Sequence, residues 1–571
     1  MIIDCNKKYT PKRILRKGDI STDHFSIIII FKDLPRATKV TKKEEIVIWD
    51  TKKPGGWKKY EELMENCADF DEILEDPTVG STEAFARITK IQESIKYKAF
   101  GKVKFKKGQV DDELKQIYAE RSKIIEGAND EEALANVDEK IAKKIIASQR
   151  KDLITEIEAI KGLKNTKGQV GAIFNVKNKI LGNKKKQERE ATAIVNFKTG
   201  DLEVSPDKIR EVSLEYVANL LENDEPDSDV KDDVALTNKI HVVRMLDKSK
   251  DDPDEVITPD DMKEVFDKMK KKGSKYSFIL KAGSNFRNSI SQLYAKIWEA
   301  EEKPQQWRNT KIIQLYKGKG SINNLDNIRN IHTKDDYSKG FDQLVVNKSK
   351  TKMIKKCSKF QIGAIQGHRP QEHLFTLKSM MAYHEMLDWP LIVQVYDLSK
   401  YFDKESLRDA MMSLHEANVT GKLYRLWFMM NCDNQIRVLT SAGMTEMKTT
   451  GENVGQGTVG GAIVSSLNLD VGVTEGFSES AHEVYYGGQT RINPLLYQDD
   501  SLRMATSVAS AQFGNNIIES VMKRKLLNIN DKSSYLLCGK AKRIMEIQEA
   551  LDKTPLSVKG EAIKQKSKES I

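Results

Sequence analysis

An apolar run that stops at two adjacent carboxylates and then resumes restricts the fold of this chain more than any other feature. The run is Ile492-Asn-Pro-Leu-Leu-Tyr-Gln-Asp499-Asp500, followed by Ser-Leu-Arg-Met504. Apolar residues on both sides of a short polar step predict a β-hairpin with the acids fixed at its turn. Asp-Asp also begins at Asp111, Asp232, Asp251, Asp260 and Asp335, each in a polar helical or loop-like setting; strands frame only this pair. Paired carboxylates repel each other unless a cation lies between them, so two acids on rigid strands read as a site for a hard metal ion. A second strand has the same form, because Leu391-Ile-Val-Gln-Val-Tyr ends in Asp397 and leads into Leu-Ser-Lys-Tyr-Phe-Asp403. Alone, Asp397 would read as the cap of a helix expected near Lys404. With both strands in one domain, Asp397, Asp499 and Asp500 are expected to share a divalent metal.

At 571 residues the chain has room for more than one domain. Its net charge of +10 suits a polyanionic partner without requiring one, since a solvated helical surface rich in Lys and Glu accounts for most of the charge. Cys5, Cys67, Cys357, Cys432 and Cys538 show no Cys-x-x-Cys spacing, which indicates neither a zinc module nor a disulfide framework and fits a reducing compartment. No signal pattern follows Met1, and Phe25 to Phe31 is too short to span a bilayer. A soluble intracellular protein with no membrane partner is expected; nucleus and cytoplasm are not distinguished.

Residues 1–38 read as the end of something larger, a loop through Gly18 to His24 and then one strand, Phe25 to Phe31, which alone cannot bury its faces. Residues 39–253 are highly charged and mainly helical, with basic runs at 102–107 and 184–186 and amphipathic helices across 113–161. Within them, Ala193 to Val204 predicts a hairpin turning at Thr199-Gly200-Asp201, and Ser205-Pro206 opens a helix with Ile209, Val212, Tyr216 and Leu220 on its apolar face. Acidic stretches at 222–233 and 247–254 mark a boundary, so 254–571 is taken as a separate domain. Thr258-Pro-Asp-Asp261 starts its first helix. After a helix around Ile290 to Trp298 come the strand Lys311 to Tyr316 and the loop Lys317-Gly-Lys-Gly320, which lacks P-loop spacing. Lys317 and Arg329, on this hairpin, are placed to hold an anionic ligand. Gly455-Gln-Gly-Thr-Val-Gly460 matches the dinucleotide fingerprint letter by letter, but no buried strand precedes it and Asp470 comes too early for a ribose contact. A nicotinamide enzyme is therefore set aside, although the glycines still permit close approach of a phosphate or base.

The order of these pieces is specific: a Lys/Arg hairpin, an Asp strand followed by Tyr-Phe-Asp, a Gly-Gln-Gly turn, a Tyr-x-Asp-Asp hairpin and then Leu527-Asn-Ile-Asn-Asp-Lys532. Together they resemble reverse transcriptases, those of non-LTR (LINE-type) retrotransposons in particular, from roughly Asp254 to the C-terminus. Thr22-Asp23-His24 is similar to the closing Ser-Asp-His of the endonuclease/exonuclease/phosphatase fold, which such elements carry ahead of the polymerase. Residues 1–38, with Asp23 and His24, would then be a nuclease remnant without nuclease activity.

The resemblance implies an α+β fold of right-hand polymerase fingers and palm, an antiparallel palm sheet packed on helices, preceded by a mainly helical linker and ending before the thumb. It implies an RNA-directed DNA polymerase that adds dNTPs to a DNA primer 3′-hydroxyl on an RNA template, with two Mg2+ ions or Mn2+ in their place. Asp397, Asp499 and Asp500 match the catalytic, metal-binding aspartates. Phe402 matches the bulky residue that excludes a ribose 2′-hydroxyl, and Lys317 and Arg329 match the fingers residues that hold the triphosphate. Gln456 and Gly457 match the nucleotide and template pocket, and Lys532 fits a proton donor to the departing pyrophosphate. Gln361 to Arg369 is similar to a template-side segment whose cations meet backbone phosphate. The chain departs from the pattern at Tyr401, Gln498, Asn330 and Thr458-Val-Gly-Gly461, none of which removes a metal ligand. The alternative is an inactive or domesticated nucleic-acid-binding scaffold that keeps the palm fold.

Overall fold

The computed structural model describes strands at 11–18 and 25–31, most of 47–104, scattered helical positions between 116 and 140, and 191–566 with short interruptions. Helices and strands are mixed throughout, as an α+β class requires. No helix among the described residues is long and apolar enough to cross a membrane.

One of two five-stranded sheets is built around Leu391–Tyr396. Its five strands run in the order Leu495–Tyr497, Asp500–Ala505, Leu391–Tyr396, Ser534–Cys538, Lys564–Gln565, antiparallel except for the last pair. Side chains alternate across a strand, and here both faces are covered, which is why Leu391-Ile-Val reads as an unbroken apolar run. Leu391 and Val393 pack with Leu377 and Met380 of the helix Pro370–Met386. Ile392 and Tyr396 face the other way, toward clusters that include Ala511 and Ile518 of the helix Val508–Arg524. Gln394 interrupts the run without an orphaned amide. Its Nε2 donates to the Ala511 carbonyl at 2.9 Å, and its Oε1 accepts from Arg503 at 2.9 Å.

The second sheet has the order Gly443–Met444, Gln435–Thr440, Asn309–Tyr316, Ile328–Thr333, with Lys448–Thr449 also on Gln435–Thr440. Asn309–Tyr316 and Ile328–Thr333 form a long antiparallel hairpin from Lys311↔Thr333 to Tyr316↔Ile328, so Lys317 and Arg329 sit together at its loop end.

Local signals were reliable guides. Ile194–Val195 pairs with Leu202–Glu203, Ser205 caps Pro206–Leu221 by accepting from the Lys208 amide, and Thr258 and Asp261 form the expected capping box. The boundary drawn at residue 253, however, is crossed by packing. Ile209, Val212, Tyr216 and Leu220 share a core with Ile312, Leu325, Ile436 and Val438 of the second sheet. Residues of Gly56–Glu65, Asp69–Glu75 and Ser81–Phe100 share another with Ser284–Ala300 and Asp336–Lys356. At the N-terminus, Phe25–Phe31 is not a single strand: it pairs antiparallel with Pro11–Gly18, which sequence patterning left unassigned. Thr22, Asp23, His24, the 184–186 run and most of the 113–161 segment lie outside the described residues.

Arg425 fastens the acidic stretch to the helical core. Its guanidinium donates to both oxygens of Asp251 at 2.9 and 2.8 Å and to both oxygens of Glu301 at 2.5 and 2.8 Å. Replacing it by Ala strands two carboxylates, so Arg425→Ala is expected to lower the unfolding free energy in urea by about 3 kcal/mol. Arg425→Lys is expected to fall between, because an ammonium cannot fork to two carboxylates.

Candidate active site

Strand register brings the three acids to one place. Ser501 pairs with Tyr396 and Leu502 with Val395, so Asp500 and Asp397 flank the end pair of this ladder, near enough for the Asp397 charge to act on both Asp499 and Asp500. Tyr497 pairs with Asp500, which leaves Gln498 and Asp499 as the two turn residues. The sequence placed both acids at the turn; Asp500 instead opens the returning strand. Gln498 has a left-handed φ of 58°, the kind of backbone a two-residue hairpin turn demands and one that a side chain other than Gly adopts at a cost. Asp397 is held through its backbone: its N–H donates to Ser533 Oγ at 3.1 Å and its carbonyl accepts from the Asn530 N–H at 2.7 Å. It caps no helix. The short turn Tyr401–Lys404 begins at Lys400, and Leu407–Glu416 begins after Ser406.

The acids are electrostatically uncompensated. Burial raises the Asp499 pKa above the ordinary carboxylate range and the charges of Asp500 and Asp397 add to it, while backbone hydrogen bonding and Arg329 oppose. Asp500 is raised in the same sense, by burial and then by Asp397. An all-oxygen, mutually repelling donor set fits Mg2+ or Mn2+ in kind. Among the described residues, however, no group of three or more His, Cys, Asp or Glu side chains is drawn together into a ready ligand cage.

Cations gather on one flank. Lys317 Nζ donates to the Asp326 carbonyl at 2.7 Å, and burial, then Lys400 and Arg329, depress its pKa. Lys400, three positions after Asp397, donates to Asp326 Oδ1 at 2.6 Å and to the Tyr216 hydroxyl at 3.0 Å, which in turn donates to Asp326 at 2.8 Å. Asp403 lies under this flank; burial pushes its pKa up to about 7 against the pull of Lys400 and Lys317. Lys317, with Lys400 and Arg329 close enough to depress its pKa, forms a cationic surface suited to an anion.

The Gly-Gln-Gly loop runs along the strand that carries Arg329. The Gln456 carbonyl accepts from the His332 N–H at 2.8 Å, and a Cβ on Gly455 would come within 2.7 Å of His332 Nδ1. With φ of 72° at Gly455 and 97° at Gly457, both glycines are required by backbone as well as by space. Gln456 and Gly457 are thus brought to the hairpin of Lys317 and Arg329. Phe402 is half-buried, edge-on to Tyr401 at 5.5 Å. Tyr401 fits where a small residue was expected because it is buried and donates to the Ser465 carbonyl at 2.7 Å. Lys532 is exposed on the turn whose Asn530 and Ser533 hold Asp397. On the 361–369 segment, His368 pairs with Glu372 at 2.8 Å and the Arg369 amide donates to the same carboxylate, while Gln361 points into the protein.

Sequence reasoning missed Lys400, Asp326 and Tyr216. Lys400 was readable from its place between Asp397 and Phe402, whereas Asp326 and Tyr216 join the site only through tertiary packing. No protein-family model matches the chain, and no curated protein is detectably similar to it.

A raised carboxylate pKa means that folding favours the protonated form, so the ionised acids lower stability at neutral pH and cease to do so below the ordinary carboxylate range. Asp499→Asn is therefore expected to raise the metal-free thermal midpoint at pH 7.5 by about 1–3 °C, the scale of a ~1 kcal/mol repulsion, with the gain vanishing toward pH 3.5. Millimolar Mg2+ should raise the wild-type midpoint more than that of the variant, as read by calorimetry.

Proposed function

We propose that the chain is the fingers and palm of an RNA-directed DNA polymerase of the non-LTR retrotransposon type. The observation that carries this reading is the register that leaves Asp397 and Asp500 beside the end pair of one ladder, with Asp499 in the adjoining turn. Asp397 and Asp499, with Asp500, would hold divalent Mg2+ or Mn2+, which when bound supplies a lowered hydroxyl pKa and offsets charge on the leaving oxygen. The chain's own residues do the rest. Lys317, Arg329 and Lys400 offset the triphosphate charge and orient it toward the acids. Phe402, five positions after Asp397, meets the sugar, and Gln456 and Gly457 form a close backbone surface for the base pair. Lys532, on the turn tied to Asp397, is within the right neighbourhood to give a proton to pyrophosphate. RNA template, DNA primer and dNTPs are the partners this arrangement calls for.

The absence of a drawn-together ligand cage among the described residues favours a second reading, a nucleic-acid-binding scaffold without catalysis. Primer extension on an RNA template with Mg2+ separates the two. The polymerase reading expects extension by the wild type and a loss on the order of 1000-fold in Asp499→Ala with template binding retained, the scale of removing a principal transition-state stabiliser. Equal binding and no extension in either protein supports the scaffold. In an active enzyme, Phe402→Ala is expected to relax discrimination against ribonucleotides by about tenfold or more, measured as the ratio of kcat/KM values.

A further inference from the structure

Resting on that reading of the acids, we infer that Gln361 is a positioning residue that fixes the backbone of the turn from which Asp499 would reach a divalent cation. Its side chain is fully buried and grips one turn residue from both sides. Oε1 accepts from the Gln498 N–H at 3.2 Å, and Nε2 donates to the Gln498 carbonyl at 3.3 Å. Oε1 also accepts from the Gly363 N–H at 2.9 Å, and Nε2 reaches the Ser466 carbonyl at 3.3 Å. Donor and acceptor of one planar amide thus engage the acceptor and donor of the residue next to Asp499.

The backbone around Gln361 reinforces the grip. The Ile362 N–H donates to the Leu496 carbonyl at 3.1 Å and the Leu496 N–H donates to the Phe360 carbonyl at 2.9 Å, so the segment lies along the acid hairpin like a short added strand. Gly363 is in contact with the turn itself: a Cβ there would overlap the Gln498 amide nitrogen. Gln498 needs such a surround, because a side chain other than Gly persists at positive φ only where neighbours over-determine it. Asp499 follows it directly, so the torsions of Gln498 aim the Asp499 carboxylate. Through Ser466 the same amide joins the turn to Gly461–Gly476, the helix that follows the Gly-Gln-Gly loop. Acid turn and nucleotide-side loop are thereby referenced to one buried side chain, where an error of about 1 Å would cost on the order of 100-fold in rate.

Gln361→Met keeps the volume and removes all four hydrogen bonds; Gly363→Ala keeps the bonds and pushes on Gln498. Three readouts are compared with wild type: deuterium exchange of the 495–504 segment, Mn2+ binding followed by spin resonance of the free ion, and the Mg2+ dependence of extension. The expected result is at least tenfold faster exchange and about tenfold weaker Mn2+ binding in both variants, with primer-template affinity unchanged and the Mg2+ requirement shifted upward. Should Gln361→Met fail to fold, Gly363→Ala decides by the same measurements. Wild-type exchange and Mn2+ affinity in the folded variants would overturn the inference. If the wild type itself binds no Mn2+, the metal reading of the acids falls, and exchange alone then decides whether Gln361 holds the turn.

Discussion

A strand ladder and one tight turn set Asp397, Asp499 and Asp500 within electrostatic reach of one another, and partial burial of these like charges is the constraint that the rest of the site accommodates. Pairing of Ser501 with Tyr396 puts Asp500 and Asp397 beside the end of one ladder. Burial first, and then the neighbouring carboxylates, raise the pKa values of Asp499 and Asp500, which costs stability unless something positive joins them. A fold that kept these acids for solubility alone would set them on separate surfaces. Here two covered strands, a tight turn with a left-handed Gln and a turn that grips Asp397 at both backbone atoms hold them in one spot.

The surroundings divide by charge. On one flank Arg329, Lys317 and Lys400 lie close enough to perturb one another or Asp499, while Asp326 and Tyr216 hold Lys400 in place. Tyr216 belongs to a helix far earlier in the chain, and its presence explains why packing runs across the acidic stretch. The helix Pro206–Leu221 is a wall of the cation flank. On the opposite side the buried amide of Gln361 holds the acid turn from within, without any charge.

Much of this was legible in the residues. Continuous apolar runs ending in acids gave the strands and their ends, and Ser205-Pro206 and Thr258-Pro259 gave helix starts, because strand patterning and capping are local physics. The three acids could be named because both strands end the same way. What escaped was non-local. Whether Asp499 and Asp500 share the turn or straddle it depends on a one-residue register that only the partner strand fixes. Tyr216 read as one more apolar-face residue, and Gln361 as part of a phosphate-facing segment; burial turned each toward a specific partner. Charge composition at 222–254 says nothing of the cores that residues on its two sides share, since those contacts are non-local.

Anomalous scattering from crystals soaked in Mn2+ tests the central claim most directly. A metal peak within coordination distance of the carboxylate oxygens of Asp397 and Asp499, lost in Asp499→Asn, is the predicted result. Density that leaves these three acids empty while Mn2+ binds elsewhere, or a measured register that parts Asp397 from Asp500, would contradict it.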